Sequence, residues 1–95
     1  MTSFERLQRI LKWSRENNAK IKIFFKNYPY ILAFDKNIHA EDSDERSISW
    51  IYAFGSKQPH QVLGSFSIRK IIIKKNNEIL EVKSLKELFT QYIGR

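Results

Sequence analysis

Apolar positions at the amino terminus recur with a helical period. Phe4, Leu7, Ile10 and Leu11 form one stripe that Ser14 continues, while Arg6, Arg9, Lys12 and Glu16 fall outside it and Trp13 sits at its edge. Thr2-Ser3-Phe4-Glu5 has the form of a capping box, a hydroxyl for a free amide with a glutamate three residues on. With Asn17-Asn18 as a stop, the pattern predicts a helix over about 3–16. From Ala19 the period changes to two. Ile21, Ile23 and Phe25 point one way, and Lys20, Lys22, Phe24 and Lys26 the other, as in a strand with one buried face. Asn27 turns the chain into a second strand, Tyr28–Phe34, whose Pro29 suits a strand start or an edge. Asp35-Lys36-Asn37 is turn chemistry. Residues 38–46 read as a loop with a short extended piece at Ile38–Ala40.

The alternation is clearest in Ser47–Phe54, where Ile48, Trp50, Tyr52 and Phe54 share one face. Gly55–Gln61, with Pro59, reads as a loop. Val62–Ile68 and Arg69–Lys75 follow as one bent strand or two, with Gly64 at the bend. Asn76-Asn77 predicts a tight hairpin into Ile79–Val82, because asparagine tolerates positive φ. Ser84-Leu85-Lys86-Glu87 is a second capping box. Leu85, Leu88, Phe89, Tyr92 and Ile93 give a closing helix, about 84–93, its apolar face, and Gly94 ends it. The expectation is an α+β, mainly β, single domain spanning 1–95. Its five or six antiparallel strands, lying within 19–82, curl into a small barrel that removes exposed edges, with helices at both ends of the chain.

Composition narrows the function without naming it. Ninety-five residues suffice for one core, and thirteen aromatics (seven Phe, four Tyr, two Trp) argue for a packed fold. With no cysteine, disulfides, a thiol nucleophile and thiolate zinc sites are excluded. No apolar run reaches the roughly 20 residues of a membrane span, so a soluble, cytoplasmic protein without membrane contact is expected. The net charge of +7 is uneven: Glu41, Asp42, Asp44 and Glu45 are four of the ten acids, and outside 41–46 the chain carries a formal +10. Such a body attracts polyanions, of which nucleic acid is the commonest.

Trp50-Ile51-Tyr52-Ala53-Phe54, followed by a loop and then Phe66-Ser67-Ile68-Arg69-Lys70-Ile71, resembles the core of WYL domains. That family has a Trp-Tyr-Leu strand, a variable turn and a strand of the form Phe-Arg-Leu-Asp-Arg-Ile. Phe66, Ile68, Lys70 and Ile71 match the spacing of the second motif, and Leu11 through Phe25 is similar to the family's opening helix and strand. Trp-Ile-Tyr departs from Trp-Tyr-Leu, and Ser67 and Arg69 replace the Arg and Asp. The resemblance implies a small Sm-like barrel, often attached to transcription regulators or defence systems, that senses a nucleotide or nucleic acid. Helix followed by five strands is also the order of Sm-like RNA-binding proteins, whose glycine-and-asparagine loop signatures are not present here.

Four groups of residues are candidates for a site. Lys20, Lys22, Phe24 and Lys26 set one aromatic among three cations on a strand face, suited to phosphate neutralisation and base stacking. Arg69, Lys70, Lys74 and Lys75 flank Ile71–Ile73; strand parity pairs Lys70 with Lys74 and Arg69 with Lys75, unless a bulge intervenes. On the first helix, Arg6, Arg9, Lys12 and Arg15 accompany Trp13, with Arg9 and Trp13 one turn apart and within reach of a cation–π contact. Tyr30 and Tyr52 would keep their hydroxyls wet at a barrel mouth, while the row from Ile48 to Phe54 fills the core. His39 and His60 have no partner spacing for catalysis or metal binding, and the 41–46 run lacks the glycine and closing glutamate of a calcium loop. The reading is a non-enzymatic RNA- or DNA-binding regulatory or accessory module, with neither cofactor nor metal. The alternative is a protein-interaction or inhibitor module working through a sheet edge, exposed aromatics or the acidic loop. Homo-oligomers through strand pairing stay open.

Overall fold

The computed structural model describes residues 1–42, 47–48 and 58–94. Helix α1 runs Ser3–Glu16 and begins where the capping box places it: Thr2 Oγ1 accepts the Glu5 N–H at 3.1 Å, and the Glu5 carboxylate accepts the Thr2 N–H at 3.3 Å. Leu7, Ile10 and Ser14 are its buried stripe. Asn18, at φ 48°, reverses the chain, with the Ala19 N–H bonded to Ser14 O. Strands β1 (Lys20–Phe25), β2 (Tyr30–Phe34), β3 (Ile38–Asp42) and the two-residue β4 (Ser47–Ile48) follow as an antiparallel series. Helix α2 spans Pro59–Ser65, β5 Ile68–Lys75 and β6 Glu78–Val82. The short helix α3, Leu85–Leu88, continues as one π-helical turn, Phe89–Ile93. Among the described residues no helix is long and apolar enough to cross a membrane.

The strands form a single sheet in the order β4-β3-β2-β1-β5-β6, and it stays open. The expected barrel is therefore corrected to an antiparallel sheet with helices on one face. Closure buries a sheet's apolar face when nothing else covers it. Here α1, α2 and α3 supply Leu7, Ile10, Val62, Leu63 and Leu88 against Ile21, Ile23, Phe25, Leu32, Phe34, Ile71 and Ile73, so this face is covered without closure.

Helix α2 is the second correction, replacing the end of an expected loop and the start of an expected strand. Pro59 occupies the first turn, where a missing N–H costs nothing, and Gln58 precedes it as N-cap with Gln61 bonded back to its N–H. Val62 and Leu63 are buried on its inner side. Gly64 marks no strand bend. It lets α2 approach α1, since a Cβ there would stand 2.7 Å from Ser3 Oγ. β5 is then one continuous strand. Its hairpin to β6 turns at Asn76 and Asn77, with φ of 50° and 66°, as the sequence predicts. β3 is longer than the expected Ile38–Ala40 piece, so Glu41 and Asp42 belong to a strand and not to an acidic loop. Of the predicted strand Ser47–Phe54 only Ser47–Ile48 is described; Trp50, Tyr52 and Phe54 lie outside the described residues, as do Asp44 and Glu45.

Candidate nucleic-acid interface

Strand register decides which cations share a surface. β1 is central, pairing with β2 on one side and β5 on the other. Its Ile21, Ile23 and Phe25 face the helices, so Lys20, Lys22 and Phe24 occupy the opposite face. Across to β5, Lys20 stands opposite Lys74 and Phe24 opposite Lys70, while Lys22 lies between Ala33 and Ile72. The two predicted lysine groups on β1 and β5 thus adjoin.

A bulge changes the parity of one member. Phe24 pairs with Lys70 but Phe25 pairs with Ile68, leaving Arg69 as an extra residue on β5. Arg69 therefore does not share a face with Lys75. Its guanidinium lies 5.5 Å from the centre of the Phe24 ring, and Lys70 Nζ lies 4.9 Å from the same ring. Phe24 is half-buried and stays out of the helix-side core. One aromatic ring thus carries two adjacent cations.

Lys22 leaves the candidate set. It retains 7% of its surface, and its Nζ stands 2.9 Å from Glu41 Oε2, a close ion pair without the alignment of a hydrogen bond. Glu41 is itself 4% exposed, receives His39 Nε2 on Oε1 at 2.9 Å and has Lys20 Nζ at 4.0 Å. Burial pushes the Glu41 carboxyl up, but Lys22, His39 and Lys20 together outweigh it and hold the group below the usual carboxylate range. Glu41, expected as a free acid in a loop, is the counter-ion of a lysine expected to be free. The alternation His39–Glu41 along an extended segment was the signal for this contact, obscured by reading 38–46 as a loop.

The remaining candidates divide by location. Lys26 is exposed beyond the end of β1, where its N–H bonds to Ser67 O at 2.8 Å. Lys75 turns to the helix side: its Nζ lies over the Trp13 ring at 5.7 Å and bonds Asn17 Oδ1 at 3.2 Å, holding the end of α1 to the sheet. Arg9 is accordingly not the partner of Trp13. It lies over Phe89 at 5.9 Å, and Trp13 meets Tyr92 edge-on. Lys12 pairs with Glu16 across one helical turn, both exposed, and Arg6 is exposed. Tyr30 lies in a cluster with Tyr28, which stacks on Phe66 at 4.3 Å, and Phe25. Burial there raises the Tyr28 hydroxyl pKa. Without a barrel there is no mouth for Tyr30 to line, and Tyr52 lies outside the described residues. His60 meets Phe4 edge-on at 5.5 Å. Among the described residues no three His, Asp or Glu side chains are grouped to hold a metal.

Comparison with protein families, curated proteins and solved structures finds no match for this chain. Of the WYL-like residues, 50–54 lie outside the described residues, Phe66 belongs to the aromatic cluster, and Ile68, Lys70 and Ile71 lie on β5, in an open sheet.

Proposed function

We propose that this chain is a non-enzymatic module that binds RNA or DNA, in a regulatory or accessory role, through the basic face of β1 and β5. The observation that carries this reading is the Phe24 ring beneath Arg69 and Lys70, with Lys20 opposite Lys74 four residues further along the ladder, about 13 Å away. An aromatic face accepts a base of any sequence, and cations beside it neutralise the phosphates on either side. The WYL resemblance implies the same class of ligand. Four phosphate contacts give a salt slope near −0.7 each for a single strand, so affinity falls roughly 50-fold between 50 and 200 mM salt. Fluorescence anisotropy with labelled single-stranded RNA, single-stranded DNA and duplex DNA at both salt concentrations tests this. Absence of binding to all three at 50 mM ends the proposal.

A second reading rests on the sheet edge. β6 is the outermost strand on its side, and its Ile79 is 70% exposed. A partner's strand added there would make this a protein-interaction module. The charged Glu81 and Lys83 paired on the same edge oppose such an addition, which places this reading second.

A further inference from the structure

The basic face ends in a cleft of about 460 Å³ between the C-terminal turn of α1, the start of β1, the β2–β3 turn and the end of β5. Each element contributes one cation to its lining: Arg15, Lys20, Lys36 and Lys74 respectively. Among the described residues the single carboxylate there is Asp35. Burial pushes its pKa up, but the Asn37 N–H bonded to Oδ1 at 3.0 Å, His39 and Lys20 more than compensate and keep it ionised at neutral pH. The described residues of the lining therefore carry a formal +3.

Among the described residues two of these cations are uncommitted. Neither Lys36 nor Lys74 forms an ion pair with a described residue, and both are exposed. Arg15 is already placed, its Nε donating to Lys36 O at 2.9 Å, which fixes the guanidinium against the turn and leaves its other N–H groups free of that bond. Lys20 is shared with Glu41, whose Oε1 lies 4.0 Å from its Nζ, and the excess of positive charge that Arg15, Lys36 and Lys74 add around the cleft is relieved by an anion bound between them.

We propose that this cleft binds a phosphate monoester. A backbone diester carries one negative charge, whereas a monoester carries about −1.5 to −2 near neutral pH and three acceptor oxygens, a closer complement to a +3 lining of fork-shaped and point-charge donors. The cleft lies where the β1–β5 ladder ends, so a nucleic-acid strand passing over Phe24 and down the β5 side of that ladder, clear of the buried Lys22, reaches it with a terminus. A free mononucleotide offers the same group. The preference for a monoester stands independently of the Phe24 surface; only a strand-borne source rests on the proposed function.

The test is an amide chemical-shift titration of the ¹⁵N-labelled protein. The probes are inorganic phosphate, a nucleoside 5′-monophosphate, and one single-stranded oligonucleotide with and without a terminal phosphate, all against chloride at equal ionic strength. Saturable shifts of Asn18, Ala19 and Asn37 with the monoesters are expected. Lys36→Gln with Lys74→Gln, both exposed positions, weakens monoester binding tenfold or more, while Phe24→Ala leaves it unchanged. Tighter binding of the phosphorylated oligonucleotide than of the mononucleotide assigns the cleft to a strand end, and the converse to a free ligand. Shifts no larger than chloride produces, or no response to the double substitution, overturn the proposal. Oligonucleotides that bind equally with and without a terminal phosphate, while neither they nor the free monoesters move these amides, overturn it and leave the basic-face reading intact.

Discussion

Lys22 and Glu41, nineteen positions apart on β1 and β3, form an ion pair with 2.9 Å between Nζ and Oε2, each side chain retaining 8% or less of its surface. The two strands are not neighbours; β2 lies between them, with Ile31 opposite Glu41 and, one step along the diagonal, Ala33 opposite Lys22. A small residue at that position lets a long lysine reach over to the next strand.

Breaking this pair on one side leaves a charge in a place water scarcely reaches. Glu41→Gln is expected to destabilise the fold by about 3 kcal/mol, because Lys22 loses its counter-ion. Lys22→Met combined with Glu41→Leu should be less damaging than either single change. Urea unfolding of the double variant, its two single components and Glu41→Gln checks the order. A double variant less stable than Glu41→Gln contradicts the account.

Acid should weaken the fold through the same residue. The Glu41 carboxyl titrates lower in the folded chain than in the unfolded one, as does Asp35, so the unfolded state binds their protons first. Their contribution is complete above the unfolded pKa values and is lost as pH falls through the folded ones, from about pH 5 downward. Stability measured from pH 7 to pH 3 should therefore decline, and less steeply in Glu41→Gln.

The Phe24 platform makes a prediction that charge alone does not. Phe24→Ala should weaken single-strand binding by about 1–3 kcal/mol with an unchanged salt slope, whereas Phe24→Tyr retains most of the affinity. Arg69→Gln should instead reduce the slope by about one phosphate contact. Anisotropy titrations at several salt concentrations separate the two effects.

The α1–α2 contact yields a fourth expectation. Alanine at 64 gains helix propensity worth about 1 kcal/mol over glycine, yet its Cβ would meet Ser3 Oγ at 2.7 Å. Gly64→Ala should be close to neutral alone and stabilising when combined with Ser3→Ala, by thermal or urea unfolding.

Features settled within a few residues could be read from the chain itself. Thr2 with Glu5, and Asn76 with Asn77, act through local hydrogen bonds and local φ, so α1 and the β5–β6 hairpin lie where the pattern predicts. The alternation of Ile21, Ile23 and Phe25 against Lys20, Lys22 and Phe24 assigned β1 its two faces for the same reason. Pro59 misled, because a proline that opens a helix and one that interrupts a strand look alike until Val62 and Leu63 have something to pack on.

What the tertiary structure alone decided were the partners. Parity says that Lys22 points away from the helices, but not that Glu41 of a non-adjacent strand waits there to neutralise it. It separates Arg69 from Lys70, but a bulge set by the pairing of β5 with β1 returns both to Phe24. Sheet closure was likewise beyond local pattern, since it depends on whether helices cover the apolar face, and α2 completes that cover. Local propensity acts over one turn or one strand, whereas burial, pairing and charge compensation depend on which distant segments meet.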